Sequence, residues 1–115
     1  MTHEMKLKGI YFDKIKSGEK IYEVRLNDEK RKLINVGDFI LFKREPELRE
    51  EIKAQVKDLI YFKSFNELVG SLPLSKVGFD KYIKSAVVDI YRQFYNEQDE
   101  NKYGVVAIKI EIKNN

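Results

Sequence analysis

The chain has 115 residues, 43% hydrophobic and 12% aromatic, enough apolar surface for one core and too short a length for a second domain. It contains no cysteine and one histidine, which excludes a disulfide framework, a thiol nucleophile and the usual zinc ligand sets and leaves only all-oxygen metal chemistry. The net charge of +3 is uneven, because residues 1–45 hold 11 Lys/Arg against 8 Asp/Glu and the remainder balances at 11 against 11, so the first part offers a basic surface to phosphate-bearing partners.

No apolar run approaches the roughly 18 to 20 residues of a membrane span, and the polar start Thr2-His3-Glu4 does not lead into an apolar stretch. The expectation is a single soluble, cytoplasmic domain over residues 1–115, with no cofactor, metal or membrane partner.

Taken in order, His3, Met5 and Leu7 alternate with Glu4, Lys6 and Lys8 as a half-buried strand. Tyr11, Phe12 and Ile15 then fall at helical spacing before Ser17-Gly18, where glycine predicts a helix C-cap. Next, Tyr22, Val24 and Leu26 form the buried face of a strand, and Ile21, Glu23 and Arg25 form its other face. Lys20 has the parity of the buried face, so it can join Glu23 and Arg25 only from the turn before the pleat begins.

Residues 27–35 read as polar and turn-like. Gly37-Asp38 precedes Phe39-Ile40-Leu41-Phe42, an apolar strand expected deep in the sheet. After the loop around Pro46, Ile52, Ala54 and Val56 have one parity, and Leu59 and Tyr61 the other, which a bulge near Asp58 reconciles.

Ser64-Phe65-Asn66-Glu67 has the form of a capping box, and its helix carries Phe65, Leu68, Val69 and Leu72 before Pro73 stops it. A longer helix is predicted from Phe79, Tyr82, Ile83, Ala86, Val87, Ile90, Tyr91 and Phe94, a continuous stripe expected to be core. Glu97-Gln98-Asp99-Glu100 reads as an acidic link, and Val106, Ile108, Ile110 and Ile112 form a last strand. Strands at both ends interrupted by helices favour an α+β fold, a small mixed or antiparallel barrel with short helices covering one end.

The run Gly18-Glu19-Lys20 to Glu23-Val24-Arg25, with Asp28-Glu29-Lys30-Arg31 and Val36-Gly37-Asp38, resembles the signature of the ASCH domain, of the PUA-like superfamily. Val56-Lys57-Asp58-Leu59-Ile60, Leu72-Pro73 and Tyr103-Gly104-Val105-Val106-Ala107-Ile108 resemble the later blocks of small stand-alone prokaryotic members. The resemblance implies a PUA-like β-barrel with a cleft beside the Gly-x-Lys turn, and RNA or a nucleotide as ligand.

In that reading Lys20, Arg25, Lys30 and Arg31 contact phosphates or a base edge, and Glu23 and Asp28 accept hydrogen bonds from amino or ribose hydroxyl groups. Tyr11, Tyr61, Phe62 and Tyr103 are stacking candidates. The plainer alternatives are core aromatics, a surface ion pair between Glu23 and Arg25, and a solvated basic turn at Lys30-Arg31-Lys32.

Two enzymatic readings compete with binding. Some small bacterial members of the family are amidohydrolases acting on acetylated cytidine, and the resemblance places their catalytic lysine at Lys20. Their threonine position is Glu23 here, and Leu74 to Phe79, where their glutamate would stand, holds no carboxylate. A metal-independent ribonuclease would use Glu23 with Lys20 or Arg25 as acid and base, and His3, inward by parity, is expected to be structural. Phosphate-loop, Rossmann and nucleophile-elbow patterns are absent. A protein-interaction module is the third possibility; the sequence favours a binding module over an enzyme.

Overall fold

A computed structural model describes residues 1–114. In chain order it contains β1 (Thr2–Leu7), α1 (Gly9–Lys16), β2 (Tyr22–Leu26), β3 (Phe39–Arg44), β4 (Glu51–Phe62), α2 (Phe65–Ser71), α3 (Lys84–Phe94), α4 (Glu97–Tyr103) and β5 (Val105–Ile112). Single 3-10 turns lie at Arg31–Leu33 and Leu74–Val77. The five strands form one sheet in the order β1-β3-β4-β5-β2. β1 and β3 run parallel and the other three pairings are antiparallel, giving a mixed sheet curled into a half-barrel.

Strand alternation sorts the core into two sides. Met5, Leu7, Ile40, Phe42, Ile52, Ala54, Val56, Val106, Ile108 and Ile110 share the concave side, and Phe12 and Ile15 of α1 pack against them. Val24, Leu26, Val105 and Ala107 face the other way and are covered by Phe65, Leu68 and Val69 of α2 and Val87, Val88 and Tyr91 of α3. Helices therefore sit on the convex face as well as at an end of the barrel. The expected bulge is present: the β4–β5 register slips between Val56 and Asp58, and the Leu59 amide donates to Asp58 Oδ1 at 2.8 Å.

Several expectations are corrected. The apolar run of β3 is buried on one face only, through Ile40 and Phe42, while Phe39 and Leu41 are half-buried. The capping box is half formed. Ser64 Oγ accepts from the Glu67 amide at 3.1 Å, but among the described residues the Glu67 side chain does not return a bond to the Ser64 amide, and the next amide, of Phe65, donates to Glu100 Oε2 at 2.9 Å.

The long helix begins at Lys84 rather than Phe79, because Gly78 and Lys81 have positive φ and hold the intervening residues in a turn. Tyr82, Ile83 and Phe94 are consequently exposed rather than core. The acidic link is itself helix α4. Asn96 Oδ1 accepts from the Asp99 amide at 2.8 Å, and Glu97, Asp99 and Glu100 occupy the first turn, where the helix dipole favours negative charge.

Candidate nucleic-acid interface

The site grows from the end of α1. Gly18, one residue past the cap, takes φ +86° and its amide donates to the Ile15 carbonyl at 3.0 Å, while the Lys20 amide reaches back to the Lys14 carbonyl. This tight reversal puts Lys20 in the turn and delays the pleat until Tyr22, which is the condition under which Lys20 can meet Glu23 and Arg25.

It does meet them. Lys20 Nζ lies 3.1 Å from Glu23 Oε1 and also donates to the carbonyls of Tyr22 (2.6 Å) and Val77 (3.2 Å). Arg25 Nε donates to the other oxygen, Glu23 Oε2, at 2.6 Å. Gly78 is required beside them, since a Cβ there would stand 3.0 Å from Lys20 Cδ and its φ is +99°. The Gly78 carbonyl in turn accepts from Lys14 Nζ at 2.8 Å.

Glu23 and Arg25 pair across the ladder with Ile108 and Val106, so they face the concave side. The surface ion pair considered from the sequence, Glu23 with Arg25, is instead partly buried, with side chains 6% and 18% exposed, and the buried Lys20 joins it. β2 and β1 are the two edges of the curled sheet. Arg25 Nη2 crosses the seam between them and donates to the Lys6 carbonyl at 3.2 Å.

At this seam opens a cavity of about 380 Å³. Lys20, Glu23 and Arg25 form its charged floor, Tyr11, Phe79, Ile90, Tyr91, Phe94 and Tyr95 supply its walls, and Lys6, Lys8 and Glu45 also line it. Lys8 Nζ stands 4.7 Å above the Phe94 ring. Tyr91 is held rigidly, stacked on Phe65 (4.7 Å between centroids) and edge-on to Phe79 (5.5 Å). Its hydroxyl is buried without a hydrogen-bond partner.

The charges are mutually adjusted. Burial pulls the Lys20 ammonium below the ordinary lysine range, against the pull of Glu23. Burial would raise the Glu23 carboxyl, but Lys20 and Arg25 together hold it below the usual carboxylate range. Burial opposes the charge of Arg25 too, and Glu23 more than compensates, keeping the guanidinium above its usual value. Burial raises Tyr91 well above an ordinary phenol, with Glu23 adding to it. Two cations share one carboxylate, so the floor carries an excess positive charge.

Of the residues singled out from the sequence, Lys20, Glu23, Arg25 and Tyr11 converge on the cavity. Asp28, Lys30 and Arg31 lie past the end of β2 and outside the lining. Asp28 Oδ1 accepts from the Arg31 amide at 3.0 Å and shapes the turn, Lys30 is exposed, and Arg31 has a buried Nε without a partner. Tyr61, Phe62 and Tyr103 are also outside: Tyr61 is exposed on β4, Phe62 packs against the convex-side core, and Tyr103 lies near the ammonium groups of Lys102 and Lys32.

His3 ties β1 to the turn before β3, with Nε2 2.8 Å from Asp38 Oδ2. The α3 wall was missed from sequence because its stripe has the period of an ordinary core face. The available signal was its width, which exceeds what one buried face of a short helix needs.

The ASCH domain family matches residues 5–114. The chain belongs to the ASCH family. The crystal structure of the hypothetical protein PH0355 is 41% identical, with a TM-score of 0.87 over 98% of this chain and 100% of that one. The solution structure of PF0455 from Pyrococcus furiosus is 36% identical, with a TM-score of 0.80 over the full length of both chains. An ASCH protein from Zymomonas mobilis shares the fold at 15% identity and a TM-score of 0.66, covering 96% of this chain and 66% of that one. No curated protein matches the chain. Among the described residues, this ASCH domain has no helix long and apolar enough to cross a membrane.

Proposed function

We propose that this ASCH domain binds single-stranded RNA, admitting one unpaired nucleotide to the cleft between β1, β2 and α3. The observation that carries the reading is the aromatic-walled cavity whose floor holds two cations on one carboxylate, with Lys6 and Lys8 among its lining residues. Aromatic walls suit a base, which can stack for roughly 1 to 3 kcal/mol. The surplus charge and the two lysines suit its phosphates.

Binding is favoured over hydrolysis by the way Lys20 is held. Glu23 Oε1, the Tyr22 carbonyl and the Val77 carbonyl surround its Nζ, so three protein acceptors hold it inside the floor and turn it away from a ligand. The segment before α3 reaches Lys20 with a backbone carbonyl where an amidohydrolase of this family would bring a carboxylate. In this reading Lys20 fixes Glu23, and Arg25 is the ligand-facing cation.

An amide-shift titration of labelled protein with a short single-stranded RNA, at low and moderate salt, tests the proposal, with acetylated cytidine assayed alongside. Salt-sensitive shifts are expected at Lys6, Arg25 and Tyr91, with affinity falling about tenfold in Arg25→Ala. Shifts confined to other surfaces would refute the cleft, and release of acetate would make Lys20 catalytic.

A further inference from the structure

Among the described wall residues, Tyr91 is the one whose polar atom is buried without a protein partner. The residue is 7% exposed, its ring is clamped by Phe65 and Phe79, and its hydroxyl has no partner among the described residues. A buried hydroxyl without a hydrogen bond is costly, and in folded proteins such atoms are few and call for a reason. A phenylalanine at this position would keep every ring contact and remove the cost.

The neighbouring polar atoms define what the hydroxyl can serve. Lys20 is fully committed, and each Glu23 oxygen already accepts a charged donor. Arg25 spends Nε on Glu23 and Nη2 on the Lys6 carbonyl, leaving Nη1 as a further donor. The floor is thus richer in unspent donors than in unspent acceptors, and the phenol, kept protonated by burial and by Glu23, is one more donor.

We infer that Tyr91 is a specificity-determining residue of the cleft, its hydroxyl donating to an acceptor atom, a ring nitrogen or carbonyl oxygen, on the edge of a neutral nucleobase. This rests on the RNA reading and adds a polar readout to stacking. It separates two contributions that a cleft of this kind combines: the ring of Tyr91 supplies surface, and its oxygen supplies selection.

The probes are short RNAs bearing one base flanked by abasic sugar-phosphates, together with a fully abasic strand, measured by fluorescence anisotropy. The wild-type domain should bind at least one single-base probe about tenfold tighter than the abasic strand. Tyr91→Phe should lose about that factor for the base-bearing probe and none for the abasic strand, with a melting temperature equal to or above wild type.

If Tyr91→Phe binds every probe as wild type does while Arg25→Ala weakens them all, the inference fails and the cleft assignment stands. Equal binding of base-bearing and abasic strands by wild type also overturns it, leaving phosphate contacts alone. If wild type binds none of the probes, the RNA reading falls with it.

Discussion

Two buried carboxylates, Glu23 and Glu100, show how similar burial can lead to different ends. Glu100, 1% exposed, accepts from the Phe65 amide at the start of α2 (2.9 Å) and from Arg92 Nε of α3 (3.2 Å). It thereby pins α2 and α3 to its own helix, α4, and it lines no cavity among those described. Glu23, 5% exposed, is shared by two cations, borders an open cleft and has an unpartnered hydroxyl among its neighbours. Burial of a charge therefore does not mark a functional site. What separates these two carboxylates is accessible space, which Glu23 borders and Glu100 does not.

The contrast can be broken most severely at Glu100. Glu100→Ala strands the Phe65 amide and opens a cavity, so chemical denaturation should show a loss of about 3 kcal/mol, while RNA affinity of the folded fraction stays at the wild-type level. Glu23→Gln should divide its effect. Leaving Lys20 and Arg25 to share a neutral amide costs about 2 kcal/mol of stability, and the disordered floor should also reduce RNA affinity about tenfold.

Gly78→Ala gives a smaller, sharper test, because its strain falls on Lys20 without changing any charge. Positive φ and the 3.0 Å approach predict a loss of about 1 kcal/mol, with amide shifts concentrated at Lys20 and Glu23 and none at Glu100. The smallest effect lies at Asp38, an ion-paired carboxylate in the turn before β3 that neither lines the cleft nor belongs to the contacts of Glu100. Its pKa is lowered to about 2 by His3 and the Asn35 amide. The unfolded chain binds the proton first as pH falls, so this stabilisation is complete above the ordinary aspartate range and disappears between about pH 4 and 2. Asp38→Asn should flatten the acid limb of a pH–stability profile by that contribution alone.

Much of the half-barrel was legible because it rests on period-two patterns with strong local punctuation. The switch of parity from Val56 to Leu59 located the bulge, and Gly18 located the end of α1. The Lys20 turn was legible as a condition, since parity alone showed where it must sit to reach Glu23. What could not be read was depth. Glu23 looks like a surface partner of Arg25 until β1 is known to be the opposite edge of the seam.

The α3 wall was hidden for a related reason. Val87 and Val88 pack inward, Ile90 and Phe94 line the cleft and Tyr91 does both, and a helical period does not say which neighbour each residue meets. Helix α4 was obscured by its acidity, although Asn96 three residues before Asp99 was a usable cap signal.

The seam between β1 and β2 also bears on how the open edges of the sheet are guarded. An incomplete barrel leaves two strand edges whose unspent backbone groups invite another chain to extend the sheet, the usual first step toward aggregation. Here the approach to those edges passes Lys6, Glu23 and Arg25, and Arg25 already occupies the Lys6 carbonyl. An incoming strand would have to dehydrate these charges and displace that guanidinium before forming its first ladder bond, so the charged lining of the cleft also raises the cost of extending the sheet at this gap.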